Sequence, residues 1–277
     1  MHKKSIKKIL IEVDKILFRE KFKELCIFYI NESTRRRERK IERRLDSYKS
    51  DLFNSGFSLV YAKNENSQIN KLCDAYGTDK GESKKDNHPY EWESHNYADL
   101  YEMLFRCRRK NVQLLIECGL GTNNINLKAS MGINGKPGAS LRMWRDFFPS
   151  ARIIGVDVDK EILFNEERIE TFFCDQLKKK SIENFAKQSN LLENSADVIL
   201  DDGLHTFKAG VSFFEGMIKF LSEDGIYLIE DVGPKNMILY KDYFSNLTKK
   251  FTVHFIEGKR AYHIYAGTNR LILIFKK

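Results

Sequence analysis

The chain has 277 residues, 42% of them hydrophobic and only four of them proline, which is enough to bury a full core and excludes a disordered or fibrous protein. Its five cysteines (Cys26, Cys73, Cys107, Cys118 and Cys174) are odd in number and never in a CxxC spacing, which argues against a disulfide framework and a cysteine-ligated zinc site and for a reducing compartment. Much of the formal net charge of +8 is local: residues 35–44, RRRERKIERR, hold seven basic side chains against two acids, and such a run is most simply a solvated helix face.

The N-terminal MHKKSIKKILIEVDKILF starts with positive charge as a signal peptide does, but Glu12, Asp14 and Lys15 interrupt its apolar stretch. No run approaches the ~20 apolar residues of a membrane span. A cytoplasmic protein is therefore expected. From Ser5 to about Ile30, apolar residues at three- and four-residue steps predict an amphipathic helix. A second, charged helix follows from a cap at Asn31, Ser33 or Thr34 through residue 53, and then an irregular stretch from Asn54 to Gln68. Residues 1–70 are read as a helical appendage and 71–277 as the main domain. An unpartnered amphipathic helix makes a homo-oligomer an option.

Beyond residue 70, short apolar runs alternate with helical stretches, the pattern of a mostly parallel sheet covered on both faces. The predicted strands are Val112–Glu117, Arg152–Asp157, Thr171–Cys174, Asp197–Leu200, Gly225–Glu230 and Leu271–Phe275. The predicted helices are Leu100–Arg109, Ser140–Phe148, Lys180–Ala186, Phe207–Leu221 and Lys241–Leu247. His254 and His263 fall in a late aromatic stretch read as strand or loop, and Trp92 and Trp144 are read as core or pocket-wall aromatics.

In an open parallel sheet the carboxyl ends of the strands share one rim, where ligands bind. LIECGLGT closes a strand at Glu117 and opens a turn with Gly119 and Gly121, whose missing side chains let a ligand approach the backbone, although glycines after a strand are often only turn residues. GVDVD places Asp157 at a strand end about 35 residues later, suited to accepting hydrogen bonds from both hydroxyls of a ribose. A nicotinamide-binding unit would carry GxGxxG and place its acid ≈ 20 residues on, which this chain does not. FCDQ sets Asp175 and Gln176 where they suit an adenine amino group, and Asp175 equally suits a helix cap. LDDGLH brings Asp201, Asp202 and His205, and IEDV brings Glu230 and Asp231, to neighbouring strand ends. Carboxylates so placed suit a hard divalent cation such as Mg²⁺, and an imidazole beside them suits a general base. Taken singly, each acid is equally a strand-end cap.

In this order the motifs resemble those of class I S-adenosylmethionine (SAM)-dependent methyltransferases, with their Rossmann-like α/β fold. YGTDKG, HNYADLYEMLF, GASLRMWRDFFPSARIIGVD and DDGLH narrow the resemblance to the metal-dependent sugar O-methyltransferases of macrolide pathways and their relatives in surface-polysaccharide clusters, over about residues 72–232. The resemblance implies SAM on Glu117, Gly119, Gly121, Asp157, Asp175 and Gln176, with Thr78 and Lys80 toward its methionine end. It also implies Mg²⁺ on Asp202 and Asp231 with Glu230 or Asp201 beside them, and His205 as base. Which acid of each pair points inward stays open. The chain departs from the family at Leu204, where serine is usual, and in GPKNMILY, a segment that usually faces the acceptor. The expected reaction is methyl transfer to a hydroxyl of a sugar or capsule precursor, with no nucleic acid partner. The alternatives are a phosphoramidate or other non-sugar oxygen on a glycan precursor, a related metal-dependent hydroxylase, an RNA-binding protein and a non-catalytic scaffold.

Overall fold

Strand β1, Leu114–Cys118, is buried along its whole length, as a central strand with both faces covered must be. The structure, a computed structural model, describes residues 67–81, 89–90, 92, 94–258 and 269–277. All of them belong to one of two compact units, Phe57–Lys277. The expected helices before residue 54, the basic run at 35–44 and His263 lie outside the described residues.

The other strands are β2 (Arg152–Asp157), β3 (Asn165–Glu166), β4 (Ile169–Phe173), β5 (Ala196–Asp201), β6 (Leu221–Ile229), β7 (Phe251–Glu257) and β8 (Arg270–Lys276). They form a single sheet in the order β3-β4-β2-β1-β5-β6-β8-β7. Strands β4, β2, β1, β5 and β6 pair in parallel; β8 runs antiparallel to both β6 and β7, and β3 antiparallel to β4.

Helices α1 (Gln68–Tyr76), α2 (Tyr97–Phe105) and α3 (Ala139–Phe147) share a hydrophobic cluster with Leu115, Ile153, Val198, Leu200, Ile226 and Leu228. Trp144 is fully buried there, its ring 5.2 Å from Tyr101 and 5.6 Å from Phe148, and is therefore core. The alternate strand residues Ile116, Ile154, Ile199 and Tyr227 are equally buried and point to the opposite face. Helices α4 (Lys179–Gln188) and α5 (Phe207–Met217) pack on each other, and Phe214 of α5 meets Tyr227 edge-on at 5.2 Å. Both faces are thus covered, as the alternation of motifs requires. Helix α6 (Pro234–Ser245) follows β6.

Helix α1 spans the expected boundary at residue 70. Ser67 caps its start, and Gly77, at φ +76°, ends it by turning the chain back toward the sheet. The turn delivers residues 78–81, which are then pinned: the His95 amide donates to the Asp79 carbonyl at 2.6 Å and the Ala98 amide to the Lys80 carbonyl at 2.8 Å. His254 lies on β7, packing edge-on against Phe275.

Candidate active site

Sheet register alone collects the acidic motifs. Cys118 of β1 pairs with Asp201 of β5, Asp201 with Ile229 of β6, and Cys118 with Val156 of β2, so the segments after these strands leave from one edge. Gly119 and Gly121 sit at φ +94° and +75°. A Cβ on Gly119 would lie 2.1 Å from the Asp202 carbonyl oxygen, so the loop after β5 demands a glycine here. The Leu120 amide donates to Asp157 Oδ2 and the Asp159 amide to Oδ1, both at 2.8 Å. Burial raises the Asp157 pKa above the usual carboxylate value even though these amides favour its charge. Val158, Phe173 and Leu177 are apolar yet 48%, 36% and 41% exposed. Asp175 accepts from the Leu177 amide at 3.1 Å, as a turn cap does. Both ends of the Gln176 amide are engaged by protein, donating to Asp201 Oδ1 at 3.0 Å and accepting from the Leu204 amide at 2.6 Å.

Lys80, 1% exposed, carries its ammonium into the carboxylates. It lies 2.6 Å from Asp202 Oδ2 and 3.2 Å from Glu117 Oε1, and it also pairs with Glu230. Tyr101 donates to the other Glu230 oxygen. Burial works against every charge here. For Lys80, the three carboxylates outweigh it and hold the ammonium well above its ordinary pKa. For Glu117, burial wins over Lys80 and pushes the carboxyl up to about 7. Glu230 and Asp202 are likewise raised by burial, opposed by Lys80. Thr78 is buried, its carbonyl 3.4 Å from the Tyr90 hydroxyl.

Asp202, His205 and Asp231 converge: one ligand atom from each lies within 4.8 Å of the others, a spacing that suits a metal ion. Asp231 is oriented from behind, since Tyr97 donates to its Oδ1 at 2.8 Å and His95 Nε2 stands 3.3 Å from the same oxygen. Its Oδ2 is turned toward His205 Nε2, 3.9 Å away. Burial disfavours the Asp231 charge, but His95, His205 and the Tyr97 hydroxyl outweigh it and hold its pKa below the ordinary value. Glu230 pairs with Lys80, which it shares with Asp202, and with Tyr101, and lies outside the 4.8 Å group. A small cleft opens beside Asp231, lined among others by Asp201, His205, Thr206, Glu230, Asn236 and Tyr240.

The buried Asp201 pairs with Gln176 rather than with the triplet, and burial pushes its pKa up to about 6. The folded state therefore keeps a proton that an unfolded chain releases near pH 4, and stability falls as pH rises through that window, by roughly 3 kcal/mol at most. Asp201→Asn cannot ionise. In chelator-treated protein it is expected to unfold at a higher temperature than wild type above about pH 7 and to lose that advantage below about pH 4. An advantage independent of pH would contradict the assignment.

Sequence reasoning singled out the stretch HNYADLYEMLF but assigned no role to His95, Tyr97 or Tyr101, nor to Asn236. The aromatics follow the helical period that also marks core residues, so only their placement against Asp231 and Glu230 separates them.

Residues 134–269 match the model of a family described as a methyltransferase domain. The chain is 28% identical over 51% of its length to the 8-demethyl-8-alpha-L-rhamnosyl tetracenomycin-C 2'-O-methyltransferase of Streptomyces olivaceus, covering 34% of that protein. It is 28% identical over 50% of its length to the mycinamicin VI 2''-O-methyltransferase of Micromonospora griseorubida, covering 32% of it. The chain thus spans about a third of the length of these curated relatives. Among solved structures it resembles the MycE methyltransferase of the mycinamycin biosynthetic pathway in complex with Mg and SAH, with a TM-score of 0.53, 22% identity, and 76% of this chain and 55% of that one covered. The fold is that of the class I methyltransferases. Among the described residues no helix is long and apolar enough to cross a membrane.

Proposed function

We propose that the protein is a SAM-dependent O-methyltransferase whose acceptor is a hydroxyl of a sugar, within a surface-polysaccharide or other glycan precursor. The observation that carries this reading is the convergence of Asp202, His205 and Asp231 at the strand-end edge that also holds the glycine turn and Asp157. The relatives' names support it, since one places the methyl group on an oxygen of a rhamnosyl-bearing compound.

SAM supplies the methyl group on a sulfonium, and a divalent cation such as Mg²⁺ supplies positive charge that eases loss of the acceptor's proton. The chain's own residues do the rest. Gly119 and Gly121 keep the β1 turn open, and Asp157 receives the ribose hydroxyls. Asp202 and Asp231 hold the cation, with Tyr97 and His95 fixing the Asp231 carboxylate so that Oδ2 faces forward. His205 Nε2 takes the acceptor's proton. Lys80 sets one positive charge among Glu117, Asp202 and Glu230 behind this assembly. Once the oxygen is held in line with the methyl carbon, positioning and deprotonation account for most of the rate.

Calorimetric titration with S-adenosylhomocysteine tests the cofactor half of the proposal. Saturable binding is expected, weakened at least about tenfold in Asp157→Ala, which removes two charge-assisted acceptors. Transfer of labelled methyl from SAM across a panel of sugar nucleotides and glycans, with Mg²⁺ or chelator, tests the acceptor half. No binding of S-adenosylhomocysteine by the wild type would sink the methyltransferase reading.

A further inference from the structure

Among the three converging side chains, His205 and Asp231 both sit on left-handed backbone, at φ +53° each. A residue with a Cβ pays about 1–2 kcal/mol for that conformation and keeps it only where its surroundings impose it. For Asp231 they plainly do. The Glu230 amide donates to the Asp201 carbonyl at 3.0 Å, the Val232 amide to the Arg270 carbonyl at 3.0 Å, and the Asp231 amide reaches the Tyr97 hydroxyl at 3.3 Å. The His205 main chain makes one hydrogen bond among the described residues: its carbonyl accepts from Asn236 Nδ2 at 2.9 Å.

Asn236 lies in the first turn of α6, immediately after the loop that carries Asp231. Asparagine is a poor residue inside a helix, so propensity does not account for it. Its amide reaches from the first turn of α6, which follows the segment carrying Asp231, to the β5–α5 connection, which carries His205. The lever is short and rigid, since helix α6 fixes Asn236 and the hydrogen bond fixes the peptide plane on which the imidazole is mounted.

We propose that Asn236 is a positioning residue that sets the His205 imidazole against Asp231 by holding the His205 main chain in its left-handed conformation. The proposal rests on the reading that Asp202 and Asp231 hold a cation with the His205 imidazole beside it, and it makes GPKNMILY part of the site's framework. The probe is Mn²⁺, titrated into full-length protein saturated with S-adenosylhomocysteine. Asn236→Leu keeps side-chain size and removes the donor; Asn236→Ala, carried in parallel, removes it while raising helix propensity.

Both variants are expected to bind Mn²⁺ with near wild-type affinity, because Asp202 and Asp231 hold the cation and the His205 ring stands beside it. S-adenosylhomocysteine affinity and the unfolding midpoint should stay near wild type. In NMR spectra, bound Mn²⁺ should broaden the His205 ring signals less in the variants than in wild type. The broadening of His95, whose ring faces Asp231 independently, should not change. Wild-type His205 broadening in both variants would overturn the proposal. So would a parallel loss of Mn²⁺ and S-adenosylhomocysteine binding, which marks a general structural role. A wild-type protein that binds S-adenosylhomocysteine but no Mn²⁺ overturns the cation reading itself, and the proposal with it.

Discussion

Lys80→Met is expected to destabilise the folded protein by about 3–5 kcal/mol, the usual cost of leaving buried charges without their partner. Methionine fills nearly the same space, so the loss is electrostatic rather than a cavity. Lys80 is 1% exposed and its ammonium faces Glu117, Asp202 and Glu230 together. Without it, carboxyls already raised by burial would rise further and fold as neutral acids. The sign with pH follows. Raised carboxyl pKa values mean that the folded variant holds more protons than its unfolded chain, so its deficit should grow as pH rises above about 5. Urea unfolding in chelator at about pH 5 and about pH 8 measures both. A deficit below about 1 kcal/mol at the higher pH would show that the ammonium is not the partner of these three acids.

His205→Ala should lower methyl transfer to whatever sugar acceptor the wild type uses by about 10²–10⁴-fold, the range for loss of a general base. Its affinity for S-adenosylhomocysteine should stay unchanged, because the ring lies with Asp202 and Asp231. Asn in place of His205 would tolerate the left-handed backbone equally well and still lack the base, so it serves as the control for loop geometry. A loss under tenfold in both variants would remove the imidazole from the proton transfer and leave the cation as the main source of acidity.

Much of the scaffold was legible because its strands are buried on both faces and so stand out as apolar runs. Arg152–Asp157 was read with the bounds the structure shows, and the strands ending near Cys118, Asp201 and Ile229 were displaced by only a few residues. Edge elements were harder to see. Strand β7 is mostly half-buried, and its FTVHFIE stretch lacks a continuous apolar signal. Helix α6 begins at Pro234, well before the expected Lys241, although proline at a first helical position is itself a start signal. Helix α1 was not expected at all: its polar QINKLCDAY shows its amphipathic character only once Ile69 and Cys73 are seen packing into the core.

The sequence by itself determined that the acids, the glycine turn and His205 follow successive strands, and hence that they meet at one edge, because parallel strands all end on the same side of their sheet. It could not determine which acid of each pair does what, since Asp201 and Asp202, or Glu230 and Asp231, are chemically near-equivalent neighbours. Tertiary structure separates the members of each pair by direction. Glu230 continues the face of Leu228 and Ile226 and meets Lys80 and Tyr101 beneath α2, whereas Asp201 continues the face of Ile199 and meets Gln176. Asp202 and Asp231, one residue further, leave the sheet with His205. The deciding contacts come from residues about 25 to 150 positions away, so no local pattern could announce them.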